Sequence, residues 1–187
     1  IDTAKKIILF PARITSWKGQ LEFIDVIKKM DTQNILVLFA GDTKNKSYTK
    51  LVRDKIEQNN LKQVCKILGS VNQDEMRSLY QIADLSLSFP LRTEGFGRTV
   101  SESLYSKTPV LAFDYGGVKN QLANLSDMFK VKPQDFQVLP AKIEKLLSLS
   151  EVEKKEALEG VQSVIESNFS KINMVKQYLK LYESFKS

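Results

Sequence analysis

The sequence predicts an α/β protein: a doubly wound, mostly parallel, six-stranded Rossmann-like sheet followed by a helical C-terminal tail. Three observations indicate this fold. Short runs are apolar throughout, amphipathic stretches of helical period separate them, and only helical patterns follow Pro133. Strands that are apolar on both faces and alternate with helices are typical of a parallel sheet covered on both sides.

The elements follow one another along most of the chain. Six runs predict strands, at Lys6–Phe10, Ile35–Ala40, Val64–Leu68, Asp84–Phe89, Pro109–Phe113 and, more weakly, Met128–Val131. Helical patterns lie between them, at Gly19–Met30, Ser47–Asn59, Gln73–Ala83, Gly97–Ser106 and Gly117–Ala123. Three further helices are expected after them, at Phe136–Leu149, Val152–Ile165 and Ser170–Phe185. In such a sheet, ligands bind outside the carboxyl ends of the strands.

The domain organisation predicted for the 187 residues is one domain over residues 1–169 and a last helix over residues 170–187. The last helix carries Ile172, Val175, Leu179 and Tyr182 on one face. This stripe either packs on its own domain or covers a second domain. Because the chain begins at Ile1 and soon enters a strand, we expect it to be part of a longer protein.

Composition excludes several kinds of site. The chain has no histidine and a single cysteine, Cys65, so it cannot build a Ser-His or Cys-His pair or a common zinc site. Cys65 falls in a predicted buried strand, where we expect an inert thiol. The net charge of +6 permits phosphates, nucleic acid or a lipid surface as partners, or a lysine-rich face that is simply solvated.

The segment Thr93-Glu94-Gly95-Phe96-Gly97-Arg98-Thr99-Val100-Ser101-Glu102 carries the clearest functional signal. It follows a predicted strand and opens a helix, so free backbone N–H groups near Arg98–Val100 would form an anion site. Glu102, one turn inside the helix, leans back toward that site, and Glu94 faces it from the loop. Two carboxylates that bracket a phosphate site suit a ligand with hydroxyls on either side of a phosphate, as in a nucleotide sugar.

At this point the chain resembles a known family. Two glutamates with seven residues between them, the first in Glu-Gly-Phe-Gly, resemble the signature of family-4 (group 1) retaining glycosyltransferases of the GT-B fold. The other landmarks occur in the order found in that family: Phe10-Pro11-Ala12-Arg13 with Lys18-Gly19, Phe39-Ala40-Gly41, Leu68-Gly69-Ser70-Val71, Lys107 to Ala112, and Gly116-Gly117. The resemblance covers nearly the whole chain and implies the C-terminal, donor-binding half of such an enzyme.

The resemblance also implies a role for each matching residue. Arg13 and Lys18, with the amides of Thr99 and Val100, would hold the donor diphosphate. Glu94 would be the catalytic residue and would bind the donor sugar with the backbone of Gly95, Phe96 and Gly97. Glu102 would bind the ribose, and Gly69, Ser70 and Val71 would lie near the base. No cofactor other than the donor substrate is implied, and a metal is not expected to be required.

Three departures from the family pattern leave questions open. Ala12 stands where a glycine is usual, and Asn120 where a glutamate is common, so any role of that carboxylate is in doubt. Arg98 is a cation that many relatives lack; it either contacts the donor or is solvated. Trp17, beside Lys18, is either a packing residue of its loop or a platform for the donor.

Two other classes of function compete with this interpretation. A dinucleotide-binding dehydrogenase needs a glycine cluster in the first strand-to-helix turn, which this chain lacks. A non-catalytic nucleotide-binding or interaction module would not need Glu94, Glu102, Arg13 and Lys18 together.

The expected partners are a UDP- or GDP-linked sugar and, through an N-terminal domain, an acceptor glycan or lipid. No nucleic-acid partner is expected, because no aromatic-rich strand motif accompanies the charge. The expected location is the cytoplasm, with peripheral contact at the inner face of the membrane left open.

Overall fold

The protein is described here by a computed structural model that covers residues 5–185. Residues 1–4 of the predicted domain and residues 186–187 of the predicted last helix lie outside this range. The sheet has six strands, all parallel, as the sequence predicted. They are β1 (Lys6–Pro11), β2 (Ile35–Ala40), β3 (Cys65–Gly69), β4 (Leu85–Ser88), β5 (Val110–Phe113) and β6 (Lys130–Val131).

The strand order, β3-β2-β1-β4-β5-β6, creates a switch point in the middle of the sheet. The chain builds outward from β1 in one direction through β2 and β3, then returns to add β4 on the other side of β1. The pairs Ile8↔Leu85 and Leu9↔Ser86 set the register of β1 against β4. The loops that leave the carboxyl ends of β1 and β4 therefore diverge from adjacent strands and enclose a crevice, where ligands of such sheets bind.

The helices within residues 5–185 match the predicted ones in all but one case. They are α1 (Gln20–Ile27), α2 (Lys46–Gln58), α3 (Gln73–Ile82), α4 (Arg98–Tyr105), α5 (Gly117–Leu122), α6 (Leu139–Leu147), α7 (Glu151–Ala157), α8 (Val161–Phe169) and α9 (Lys171–Ser184). The single helix predicted over Val152–Ile165 was wrong. The chain breaks between α7 and α8 because Gly160 adopts a left-handed conformation, with φ of 71°, that does not continue an α-helix.

Both faces of the sheet are buried, because successive residues of each strand point to opposite sides. In β1, Ile8 and Phe10 join the larger apolar cluster, and Ile7 and Leu9 join the smaller cluster on the other face. Cys65 is buried at the start of β3, and burial raises the pKa of its thiol to about 12. A thiol with that pKa is almost entirely protonated at neutral pH, which fits the expectation of an inert cysteine.

The carboxylate of Asp84 binds several groups at the amino-terminal edge of the sheet. This edge is opposite the carboxyl ends of the strands, where the crevice lies. Asp84 Oδ2 accepts a hydrogen bond of 2.9 Å from the Ile7 backbone N–H, and its Oδ1 lies 2.9 Å from Lys6 Nζ and 3.3 Å from Lys154 Nζ. Burial alone raises the pKa of Asp84, but the Ile7 hydrogen bond and the two lysine charges outweigh it and hold the pKa below its usual value. Asp84 therefore ties β1 to the helix α7, which carries Lys154.

This contact gives a prediction about the pH dependence of stability. We expect Asp84→Asn to lower the free energy of unfolding at pH 7 by about 1–2 kcal/mol, the scale of charged hydrogen bonds reduced for partial solvent screening. A carboxyl with a depressed folded-state pKa stabilises above its unfolded pKa of about 3.9 and loses this effect as pH falls through the folded value. The difference between variant and parent should therefore shrink below about pH 4 in urea titrations. Asp127→Asn, at a side chain that is 99% exposed, is the matched control; an equal effect there would contradict the assignment.

The last helix, α9, leaves its apolar face uncovered. Ile172, Val175, Leu179 and Tyr182, the stripe identified in the sequence, are between 44% and 70% exposed. Its packing partner among the described residues is α8. Within residues 5–185, no helix has the length and apolar character needed to cross a bilayer.

Candidate functional site

The loops that follow β1 and β4 meet at the switch point and enclose a cavity of about 450 Å³. Six of the predicted site residues line it together: Lys18, Glu94, Gly95, Phe96, Gly97 and Thr99. Arg98, whose role the sequence left open, lines it as well. Trp17 and Thr93 complete the lining. The sequence segments that carried the functional signal thus come together around one cavity, which we call the loop cavity.

An ion pair joins the two loops across this cavity. Lys18 Nζ donates a hydrogen bond to Glu94 Oε1, and both side chains are only 13% exposed. The same ammonium lies 4.1 Å from the centre of the Trp17 ring, a cation–π geometry. In the ligand-free chain, the predicted diphosphate cation and the predicted sugar-binding carboxylate therefore neutralise each other.

Arg13 is placed differently from Lys18. Its side chain is exposed on the loop after β1 and does not line the loop cavity. The backbone beneath it is fixed, since its carbonyl accepts a hydrogen bond of 2.8 Å from the fully buried Gln20 side chain.

The start of α4 is shaped for a ligand that approaches the backbone. Gly97 precedes the helix with φ of 78° and supplies no capping side chain. A Cβ there would also collide with the Val118 side chain. The N–H of Val100 donates a 3.0 Å bond back to the Gly97 carbonyl, and Thr99 faces the cavity. An N-terminus without a side-chain cap presents backbone N–H groups and the positive end of the helix dipole to an anion.

The loop after β5 supports the Glu94–Gly97 segment from below. The Gly117 N–H donates to the Glu94 carbonyl at 3.1 Å, and the buried Gln121 side chain donates through Nε2 to the Phe96 carbonyl. The Tyr115 hydroxyl donates to the carbonyl of Pro90, nearer the start of the loop that follows β4. Sequence reasoning noticed Gly116-Gly117 but missed Gln121 and Tyr115, since neither belongs to a motif and both act through backbone atoms.

A second cavity, of about 380 Å³, lies beside α4, and we call it the helix cavity. Val71, from the loop predicted near the base, and Glu102, predicted at the ribose, both line it, with Arg98, Tyr80 and Tyr105 among the other residues. Gly69 closes β3 with φ of 80°, and Ser70 is exposed just before Val71. Of the three residues predicted near the base, Val71 therefore shares a cavity with Glu102, and Gly69 and Ser70 do not line it.

Two side chains hold Glu102. Arg98 Nη2 donates to Oε1 at 3.0 Å, and the Tyr80 hydroxyl lies 3.2 Å from Oε2 and 3.2 Å from the Thr99 carbonyl. Tyr80 is only 2% exposed. Burial, and then the charge of Glu102, raises the pKa of Tyr80 above its usual value, so the phenol stays protonated and donates. Sequence reasoning missed Tyr80, which lies in α3 with no local motif.

Arg98 lines both cavities, so they adjoin at the first turn of α4. Its side chain is 79% exposed and paired with Glu102. Asn120, on α5, is exposed and lines neither cavity. Among the described residues, no group of three or more Cys, Asp and Glu side chains is placed to hold a metal.

Residues 1–159 match the family described as Glycosyl transferases group 1. The chain belongs to this family. The resemblance drawn from the Glu94–Glu102 segment is therefore confirmed, and the Rossmann-like sheet agrees with it.

Individual members of the glycosyltransferase family extend the comparison. A trehalose synthase from Thermococcus litoralis is 29% identical over 194 residues, covering 99% of this chain and 46% of that protein. The crystal structure of a glycosyltransferase from Rickettsia africae is 30% identical with a TM-score of 0.87, covering 96% of this chain and 48% of that one. HepE from Anabaena, solved with UDP and glucose, shares the fold at 21% identity and a TM-score of 0.85, with 97% and 49% covered. The chain spans about half the length of the curated relatives it matches.

Proposed function

We propose that this chain is the donor-binding half of a retaining glycosyltransferase, which transfers a sugar from a nucleotide-diphosphate sugar to an acceptor hydroxyl. One observation carries the proposal. Two adjoining cavities share the uncapped start of α4, and each contains one of the two signature carboxylates, Glu94 in the loop cavity and Glu102 in the helix cavity. A nucleotide sugar has the same order of parts: nucleoside, diphosphate, sugar.

The nucleoside occupies the helix cavity in this proposal. Glu102 accepts hydrogen bonds from the ribose hydroxyls, and the base lies near Gly69, Ser70 and Val71. Arg98 and Tyr80 orient the Glu102 carboxylate. The UDP complex of the Anabaena relative supports a nucleotide ligand for a chain of this fold, and UDP or GDP is the expected nucleotide.

The diphosphate lies at the helix start, where Arg13, Lys18 and the amides of Thr99 and Val100 surround it. As the glycosidic bond breaks, negative charge grows on the leaving diphosphate, and these cations and N–H groups stabilise that charge more in the transition state than in the ground state. The Val100 N–H gives up its bond to Gly97 in exchange. Because these groups stabilise the charge on the leaving diphosphate, we expect that transfer does not require a metal.

The sugar lies in the loop cavity, against Glu94 and the backbone of Gly95, Phe96 and Gly97. For Lys18 to reach the diphosphate and Glu94 to reach a sugar hydroxyl, their ion pair must open when the donor binds. Donor binding thus replaces one contact between protein groups with two contacts to the ligand. In this proposal the transfer retains the anomeric configuration of the donor sugar.

The acceptor, a glycan or a lipid hydroxyl, is expected to bind on an N-terminal domain. We propose that the exposed apolar face of α9 packs against that domain, since four apolar residues at helical spacing are uncovered while the domain's own core is complete. The boundary proposed from the sequence, between residues 169 and 170, coincides with the end of α8. The proposed location is the cytoplasm, with a peripheral membrane surface where the acceptor is a lipid.

A prediction at Glu102 tests the nucleoside half of the site. We expect Glu102→Ala to weaken binding of the preferred nucleoside diphosphate by about 1–3 kcal/mol, the scale of charged hydrogen bonds. The thermal midpoint should hardly change, because Tyr80 keeps the Thr99 carbonyl as an acceptor. In calorimetric titrations, a 2′-deoxynucleoside diphosphate should bind the parent more weakly than the ribonucleotide, and this difference should vanish in the variant.

Tyr80→Phe refines the same test. The variant keeps the buried ring and removes only the hydroxyl that orients Glu102. It should therefore also weaken binding of the nucleoside diphosphate, by about 0.5–1.5 kcal/mol. Tyr105→Phe is the matched control, because Tyr105 lines the same cavity but is 50% exposed. Equal nucleotide affinity in Glu102→Ala and the parent would mean that Glu102 is an ordinary surface carboxylate and would remove the proposed ribose contact.

A further inference from the structure

The sugar-binding loop has a contact that lies outside the family motif. The Phe96 ring, at the tip of the Glu94–Gly97 segment, meets the ring of Phe169 with 5.6 Å between centroids and 58° between planes. Phe169 is the last residue of α8, 73 positions along the chain. Tilted aromatic pairs at this distance are attractive beyond the apolar area that they bury.

Phe169 is itself attached firmly to the domain. Helix α8 packs along α4, whose first turn forms the proposed diphosphate site. Ile165 is buried in the larger apolar cluster, and Val161 and Phe169 pack against that cluster at half-buried positions. Phe169 is therefore held in place and can position a side chain that contacts it.

The rest of the loop is supported from the opposite direction. Gly117 approaches the Gly95 backbone closely, and Gln121 binds the Phe96 carbonyl, both from α5. These contacts hold the Glu94 and Phe96 carbonyls but do not involve the Phe96 ring, which is 38% exposed. The contact with Phe169 restrains the ring, which is joined directly to the peptide units on either side of Phe96.

We propose that Phe169 is a positioning residue for the donor sugar, which holds Phe96 and thereby the Glu94–Gly97 backbone in the orientation that the sugar requires. The proposal rests on the assignment of the loop cavity to the sugar. Ser170 alone separates Phe169 from α9, whose apolar face is exposed. The same contact therefore links the sugar-binding loop to the helix proposed to meet the second domain.

The contact is tested first in the 187-residue chain without any ligand. Hydrogen exchange of the peptide that spans residues 93–99 should be about three- to tenfold faster in Phe169→Ala, the fold-change that corresponds to one aromatic pair. Exchange over residues 69–73, in the loop after β3, should not change. Phe169→Tyr keeps a ring and should restore slow exchange, and Phe185→Ala, at a 77% exposed ring on α9, is the matched control. Unchanged exchange over residues 93–99 would overturn the proposal.

A binding measurement then separates positioning from general loss of structure. Calorimetry with UDP, UDP-glucose, GDP and GDP-mannose should show that Phe169→Ala lowers affinity for the sugar nucleotide about three- to tenfold and leaves that for the free diphosphate unchanged. Equal loss for both ligands would overturn the positioning role. Phe169→Leu, which preserves apolar packing without a ring, replaces the alanine variant if the latter fails to fold. If exchange changes as expected but the parent binds none of the four ligands, the loop contact stands and the assignment of the site to a sugar nucleotide fails.

Discussion

Glu94→Gln is expected to reduce turnover of the complete enzyme by about 100-fold or more, the scale for loss of an electrostatic contact made in the transition state. The change preserves the shape of the side chain and removes only its charge, so the fold should be unaffected. Binding of a nucleoside diphosphate to the 187-residue chain should stay equal or become tighter, because Lys18 is no longer held by the carboxylate and is free for the phosphates. Steady-state kinetics of the complete enzyme and calorimetry of the chain measure the two effects separately.

Glu102→Gln is the matched comparison for this prediction, since it removes the other signature carboxylate from the adjoining cavity. There the loss should appear in nucleotide binding rather than in turnover at saturating donor. If Glu94→Gln abolished diphosphate binding and left turnover untouched, Glu94 would belong to the nucleotide and not to the sugar.

Gly117→Ala is expected to have the largest effect on stability, a loss of about 1–3 kcal/mol in the free energy of unfolding. An added Cβ would overlap the Gly95 carbonyl oxygen and lie 2.7 Å from the Gly95 carbonyl carbon and from Phe96 Cα. These are backbone atoms, so the Glu94–Gly97 loop must shift as a unit. Chemical denaturation measures the loss, and affinity for a sugar nucleotide should fall with it.

Gly95→Ala provides the steric control for stability, because a Cβ at that position meets nothing within 4 Å. Its free energy of unfolding should equal that of the parent or exceed it slightly, as replacement of an unstrained glycine reduces the entropy of the unfolded chain. If both substitutions destabilised the protein equally, close packing between the loops after β4 and β5 could not be the cause of the loss in Gly117→Ala.

The fold could be predicted from the sequence because its signals are local. Apolar runs such as Ile35–Ala40 are buried on both faces and match the observed strand residue for residue. The helix predicted over Val152–Ile165 failed because its apolar pattern continues through Gly160, and the periodicity carries no information on the backbone angle there. The sequence also could not decide whether the apolar stripe on α9 packs on its own domain, because that depends on residues distant in the chain.

The candidate site could likewise be predicted from the sequence only in part. Glu94, Lys18 and Glu102 belong to motifs, and the sequence sufficed to single them out. Tyr80, Gln121 and Phe169 each act on a site residue between 22 and 73 positions away, through a hydroxyl, an amide or a ring. None of the three belongs to a sequence motif, so only the tertiary structure shows what they touch. The ion pair between Lys18 and Glu94 was likewise missed, since the motif assigns the two side chains to different parts of the ligand.

The most direct test of donor binding is a calorimetric titration of the 187-residue chain with UDP, GDP and ADP and with the matching monophosphates. At least one diphosphate should bind, and its monophosphate should bind more weakly because it lacks the second phosphate that we propose Arg13 and Lys18 to contact. Arg13→Ala, at an exposed side chain, should reduce that difference without unfolding the chain. If none of the three diphosphates binds, or if diphosphate and monophosphate bind equally well, the site is not the diphosphate site of a sugar-nucleotide donor.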